Sequence, residues 1–219
     1  MKKPAICAVV TVHDPQIIKD TASLADLFEM RIDLIGEGWQ DLTRKLEKPW
    51  IATNRLAAEG GQYRGPEARR IEPLLHAVEL GAAYVDIEVN TPNLDNVARA
   101  IKRRTKLLLS YHDLEKTPPL EELKRIVRKQ LNSGADVCKV VATANEPDDN
   151  LTLLRLIKAF PEAKIIAFCM GPLGMLSRIL CPLAGGEFTY ASIEKGKESA
   201  RGQLTVSEMR TMYDMMELA

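Results

Sequence analysis

Apolar residues gather along the chain in eight short runs rich in β-branched side chains: AICAVVT (5–11), LFEMRIDL (27–34), WIATNR (50–55), YVDIEV (84–89), KLLLSYH (106–112), VCKVVAT (137–143), KIIAFCM (164–170) and FTYAS (188–192). Runs of this kind predict strands buried on both faces, as in a parallel sheet. Between them, apolar residues recur at helical spacing. Pro66 opens a stretch in which Ile71, Leu74, Leu75 and Val78 face inward and Gly81 is the stop. Thr91-Pro92 opens another, striped by Leu94, Val97 and Ile101. Thr117 is placed to cap a third that begins at Pro118, carries Leu120, Leu123, Ile126, Val127 and Leu131, and ends before Gly134. Val206, Met209, Met212 and Met216 stripe the last, where the methionines read as core packing.

Strand and helix signals thus alternate eight times without a Gly- or Ser-rich linker. This predicts one (β/α)8 barrel domain over residues 1–219, near the lower end of the ~200 to 400 residues usual for that fold. A doubly wound sheet is the second choice. Against it, no run is followed by G-x-G-x-x-G, and no G-x-x-x-x-G-K-[ST] occurs, so the usual nucleotide cradles are missing.

Composition narrows the partners. With 46% apolar and 27% charged residues the chain has the material for a sizeable core, and 30 basic against 30 acidic side chains leave no footprint for nucleic acid or a membrane surface. Cys7, Cys138, Cys169 and Cys181 form no C-x-x-C pair and read as reduced packing residues of a cytoplasmic protein. The N-terminal MKKPAICAVVT lacks a small-residue cleavage site before His13-Asp14-Pro15, which favours a first strand over a leader. No apolar stretch is long enough to span a membrane.

In such a barrel, chemistry gathers at the C-terminal ends of the strands. Glu29, Arg31 and Asp33 alternate along the second run, and Asp86 and Glu88 share a face of the fourth. Arg55 ends the third with Glu59 beyond it, and His112 ends the fifth. Lys139 sits inside the sixth, flanked by Val137, Cys138, Val140 and Val141. Desolvation disfavours an ammonium, so a lysine within apolar barrel walls can become a neutral amine able to attack a carbonyl. A histidine at the end of the adjacent strand is suited to shuttle protons beside the resulting imine. Each residue alone is as readily structural; the pair favours chemistry. His76, within a helical stretch, reads as packing, and no second histidine helps His13 to hold a metal.

The chain resembles the type I 3-dehydroquinate dehydratases. The resemblance rests on EMRID (29–33), NRLAAEGG (54–61), SYHDL (110–114), CKVV (138–141), GMLSR (174–178) and SARGQ (199–203), which occur in family order over nearly the whole chain. It implies a hydro-lyase of the shikimate pathway that eliminates water from 3-dehydroquinate through a Schiff base on Lys139. His112 would act as general base and acid with Glu59 assisting. The resemblance further implies that Arg178 binds the substrate carboxylate, that Ser199 and Gln203 belong to a closing loop, and that Glu29, Arg31 and Arg55 hold ring hydroxyls and balance charge. It implies no cofactor or metal, and a homodimer. Departures from the family pattern are Arg201 where proline is common, implying a less rigid lid, Leu114 where an aromatic is frequent, and Phe168 and Met170 in the seventh strand.

Other readings of the same residues differ in class. A class I aldolase would use the same lysine and bind a phosphate, for which Gly171, Gly174, Gly185 and Gly186 could offer backbone donors. A non-catalytic sensor would keep the pocket without needing the amine. A metal enzyme would use Glu29, Asp86 and Glu88 as ligands.

Overall fold

The computed structural model describes residues 3–217. Its strands form where the apolar runs indicate: β1 (Ile6–Val10), β2 (Leu27–Arg31), β3 (Trp50–Thr53), β4 (Tyr84–Glu88), β5 (Lys106–His112), β6 (Val137–Thr143), β7 (Ile165–Met170) and β8 (Thr189–Ser192). All pair in parallel in one sheet of order β7-β6-β5-β4-β3-β2-β1-β8. Because β8 lies beside β1, the sheet curls into a nearly closed (β/α)8 barrel. At the remaining seam the Glu187 N–H donates to Ile165 O at 2.9 Å, and the Phe168 and Tyr190 rings meet with centroids 6.1 Å apart.

Nine helices lie between and after the strands among the described residues: α1 (Pro15–Thr21), α2 (Ile32–Ile35), α3 (Trp39–Thr43), α4 (Glu67–Glu79), α5 (Leu94–Lys102), α6 (Leu120–Asn132), α7 (Asp148–Lys158), α8 (Met175–Leu180) and α9 (Val206–Met215). Local chemistry sets several starts. Asp14 accepts the Gln16 N–H at 2.9 Å ahead of Pro15, and Thr205 and Glu208 exchange side-chain and backbone bonds in a capping box.

The two-residue strand period separates two cores. Phe28 and Met30 of β2 pack outward with Ile18 and Leu42 under the helices. Leu27 points the other way and joins Cys7, Val9, Ile51 and Leu108, an apolar floor within the barrel. All four cysteines are buried and free.

Several local expectations change. β2 stops at Arg31 and the chain turns into α2, so Asp33 leaves the strand face and returns its carboxylate to Arg31 at 2.7–2.9 Å. Thr117 does not cap α6: Pro118 and Pro119 hold the backbone extended, the helix begins at Leu120, and the Thr117 hydroxyl donates to Thr143 O at 2.9 Å. On that helix Leu131 is exposed, and Gln130, wholly buried, takes the inward place beside Leu123 and Val127. α5 begins only after Asn93, a non-glycine residue with φ 54°. Leu75 on α4 is exposed, and on α9 Tyr213 is buried while Met216, just past its end, reaches solvent. His76 is exposed, its ring set edge-on to Trp39 with centroids 5.9 Å apart, and His13 Nε2 lies 3.1 Å from Gly38 O.

Candidate active site

The strands put a polar ring above the apolar floor. Glu29, Arg31, Arg55, Glu59, His112, Lys139, Arg178, Ser199 and Gln203 all line one cavity, with Val141, Phe168, Met170 and Tyr190 as its apolar wall. The cavity opens to solvent between the strand ends and the 194–203 loop. The nine residues singled out from sequence therefore converge on one place, although they span 175 positions from residue 29 to residue 203 of the chain.

Lys139 is held at the centre but not in apolar surroundings. Its Nζ lies 3.0 Å from Asp86 Oδ2 and 3.5 Å from Glu29 Oε1, and 4.1 Å from the Tyr190 ring centroid. Two carboxylates and a ring face thus oppose the desolvation that the flanking valines suggested. Its backbone is fixed from behind: the buried Gln130 amide of α6 donates to Lys139 O at 2.9 Å and to Leu109 O at 3.0 Å.

Asp86 has three partners. Its carboxylate accepts the Ser110 hydroxyl at 2.6 Å, lies 2.7 Å from the Arg55 guanidinium, and faces Lys139. Burial opposes its ionisation, but Arg55 and Lys139 outweigh burial and hold the carboxyl well below the usual range. Glu29 accepts the Thr53 hydroxyl at 2.8 Å. Arg55 also approaches Glu88 at 3.1 Å and donates to Ser110 Oγ at 2.6 Å. Glu29, Asp86 and Glu88, the set considered for a metal, are each engaged by a cation instead.

His112 ends β5, where its Nδ1 lies 3.0 Å from Glu59 Oε2. Burial, with the charges of Arg55 and Lys139, pushes the imidazole well below its ordinary value and keeps it neutral. Burial pushes Glu59 up to about 7, against the pull of Arg55. Glu59 reaches His112 because a single 3₁₀ turn (Ala57–Glu59) folds the chain back after β3. Gly61 permits this: a Cβ there would lie 2.1 Å from Arg55 O.

Arg178 differs from the other cations. It is 2% exposed, its guanidinium carbon lies 4.3 Å from the Phe168 ring centroid, and its Nε and one terminal nitrogen have no hydrogen-bond partner among the described residues. No carboxylate neutralises it among the described residues, and burial lowers it to about 10. An unpaired guanidinium fork on a cavity wall is built to receive a planar anion such as a carboxylate. Nearby, the Ser199 N–H and hydroxyl donate to Gln203 Oε1 at 2.9 and 3.2 Å, which folds the 194–203 loop over the opening. Arg201 ties that loop through its backbone, accepting the Gly171 N–H at 3.1 Å.

The glycines considered for a phosphate are occupied. The N–H groups of Gly171, Gly174, Gly185 and Gly186 donate to Arg201, Gly171, Pro182 and Cys181 carbonyls at 2.8–3.1 Å. Sequence reasoning placed Asp86 beside Glu88 on one strand face and offered it as a metal ligand without pairing it with Lys139, and it gave no role to Ser110 or Tyr190. Asp86 carried a signal, two residues before Glu88 on one strand face; Tyr190 in an apolar run did not.

Comparison with known proteins agrees with this geometry. The Type I 3-dehydroquinase family profile matches residues 6–219. A 3-dehydroquinate dehydratase of Dehalococcoides mccartyi is 44% identical over 97% of this chain and 96% of its own length, and one of Methanocaldococcus jannaschii is 37% identical over 89% of each. The 3-dehydroquinate dehydratase of Geobacillus kaustophilus superposes with a TM-score of 0.86 at 26% identity, covering 98% of this chain and 91% of that one. The Aquifex aeolicus enzyme gives 0.84 at 26% identity, over 96% and 98%. This chain belongs to the type I 3-dehydroquinase family.

Proposed function

We propose that this protein eliminates water from 3-dehydroquinate to give 3-dehydroshikimate through an imine on Lys139. The observation that carries the reading is the placement, around one cavity, of a buried amine, a neutral histidine and an unpaired arginine. Arg178 receives the substrate carboxylate and orients the ring so that its ketone meets Lys139. Attack by the neutral amine and loss of water form the imine, whose protonated form draws electrons from the adjacent C–H bond. His112 takes that proton at Nε2, the nitrogen turned away from Glu59. The C–H electrons form the ring double bond as the β-hydroxyl departs with a proton from His112. Water then hydrolyses the imine and frees the lysine. One histidine serving as base and then acid requires both groups to leave from one face, a syn elimination. Glu29, Arg31 and Arg55 hold ring hydroxyls and balance charge, and Ser199 and Gln203 close the site.

Asp86 and Glu29 support the first step. Facing Lys139, they hold the amine on the inner wall before the ketone arrives and offset positive charge on the iminium afterwards. The reading includes a single domain over residues 1–219 and a homodimer, for which one unfolding transition and a dimer mass by light scattering are expected.

The test is intact-mass spectrometry after incubation with 3-dehydroquinate and borohydride, followed by peptide mapping. A reduced adduct on Lys139, absent from Lys139→Ala, together with the enone product, is expected. A folded protein that binds the compound but gives neither adduct nor turnover would overturn the reading.

A further inference from the structure

Arg70 lies in α4, outside the barrel wall and away from the cavity lining, yet it is wholly buried. All five of its N–H donors have an acceptor. Nε and one terminal nitrogen meet Glu67 at 3.0 and 2.6 Å, and that nitrogen also reaches the Thr91 hydroxyl at 2.9 Å. The other terminal nitrogen meets Asn54 O at 3.2 Å and Glu88 Oε2 at 2.5 Å. The Asn54 amide donates back to Arg70 O at 3.0 Å, so the cation is clamped at both ends.

Glu88 carries this outward charge into the site. Its second oxygen lies 3.1 Å from Arg55 and accepts the Leu56 N–H at 3.1 Å. Arg55 in turn is 2.7 Å from Asp86, and Asp86 is 3.0 Å from Lys139. A chain of alternating charge therefore runs Arg70, Glu88, Arg55, Asp86, Lys139 from the helix layer to the amine. Every member is buried, where charges interact at low screening and a lost partner is felt by the next.

We propose that Arg70 is a positioning residue for Lys139: by neutralising Glu88 it leaves Arg55 free to hold Asp86, so that Asp86 does not close on the lysine alone. Without Arg70, Glu88 keeps one cation, Arg55, and draws it from Asp86. Asp86 then turns its charge on Lys139 and stabilises the ammonium against the amine. The other titratable groups facing Lys139 are Cys7 on β1, Glu29 on β2, Arg55 just beyond β3, His112 on β5 and Tyr190 on β8, none of which Arg70 touches. The inference rests on the reading of Lys139 as the reacting amine.

The test uses formaldehyde with cyanoborohydride, which methylates an accessible amine whether or not the protein turns over 3-dehydroquinate. Methylation of Lys139 is followed by peptide mapping across a pH series in the full chain. In Arg70→Met the midpoint is expected to move upward by about one pH unit, or tenfold slower reaction at fixed pH. In Arg70→Met with Glu88→Gln, which removes both charges, it is expected to return. A role confined to packing would lower the melting temperature of both variants and leave both midpoints in place. If Arg70→Met does not fold, Arg70→Lys, which keeps a cation but loses the fork, is expected to give a smaller upward displacement. A wild-type midpoint in the folded single variant, or a displaced one that the double variant fails to restore, would overturn the proposal. Failure of the wild-type protein to trap 3-dehydroquinate would overturn the proposed function, without bearing on this measurement.

Discussion

Glu59 Oε2 lies 3.0 Å from His112 Nδ1 and also accepts the backbone N–H of the same histidine at 3.1 Å. One carboxylate oxygen therefore sets both the position of the ring and its tautomer. Ionised, Glu59 accepts the Nδ1 proton and leaves the Nε2 lone pair to face the cavity. Protonated, it donates to Nδ1 and places the proton on Nε2, which is then no base.

This relationship predicts the acid side of the pH profile. Since His112 is neutral well below 6.5 and Glu59 ionises at about 7, kcat is expected to rise as pH increases through about 7. Glu59→Gln retains an acceptor but not the titration, so that limb should disappear and the plateau fall by roughly tenfold or more. A limb that survives in Glu59→Gln would assign it to another group.

Arg178→Met is expected to separate stability from function. Removal of a buried cation that has no anion among the described residues should raise stability by about 1 kcal/mol or more, whereas loss of the carboxylate fork should raise KM by roughly a hundredfold. Thermal melts and steady-state kinetics on one preparation check both. A small dicarboxylate or hydroxy acid should stabilise the wild type and not the variant.

Asp86 predicts an acid-linked loss of stability. Its folded pKa is depressed, so its contribution is complete above the ordinary aspartate value near 3.9 and is lost as pH falls through that value toward the folded one. Asp86→Asn should cost about 3 to 5 kcal/mol at neutral pH, because it strips a partner from Arg55 and Lys139, and should flatten the fall in stability below about pH 4. Denaturant titrations at a series of pH values measure both.

The four thiols are expected to be silent in the native state. All are buried, and burial pushes Cys138 and Cys181 up to about 12 and raises Cys7 and Cys169. A disulfide-exchange reagent at pH 8 should titrate none of them quickly in the folded chain and all four after denaturation.

Much of this architecture was legible because period and burial leave local marks. The eight strands required only runs of Val, Ile and Leu; their position in a barrel followed from regular alternation with helices. The end of β2 was not legible, since Ile32 to Ile35 are as apolar as a strand and only the turn toward β3 makes them helical. Gln130 was missed for a related reason. A polar residue beside a helical stripe is ordinarily solvent-facing, and only the approach of β5 and β6 gives its amide two carbonyls to hold.

The candidate site divides along the same line. The sequence by itself determined which side chains stand at the C-terminal ends of the strands, because strand periodicity and strand ends are properties of neighbouring residues. Its six motifs determined the family. Only the tertiary structure decided who faces whom: that Lys139 sits between Asp86 and Glu29 rather than among valines, that Arg178 has no counter-ion among the described residues, and that Arg70 reaches the site through Glu88. The reason is physical. Charge acts through space over a few ångströms, and the pairs that link Arg70 to Glu88 and Lys139 to Asp86 and Glu29 are separated by 18 to 110 positions along the chain.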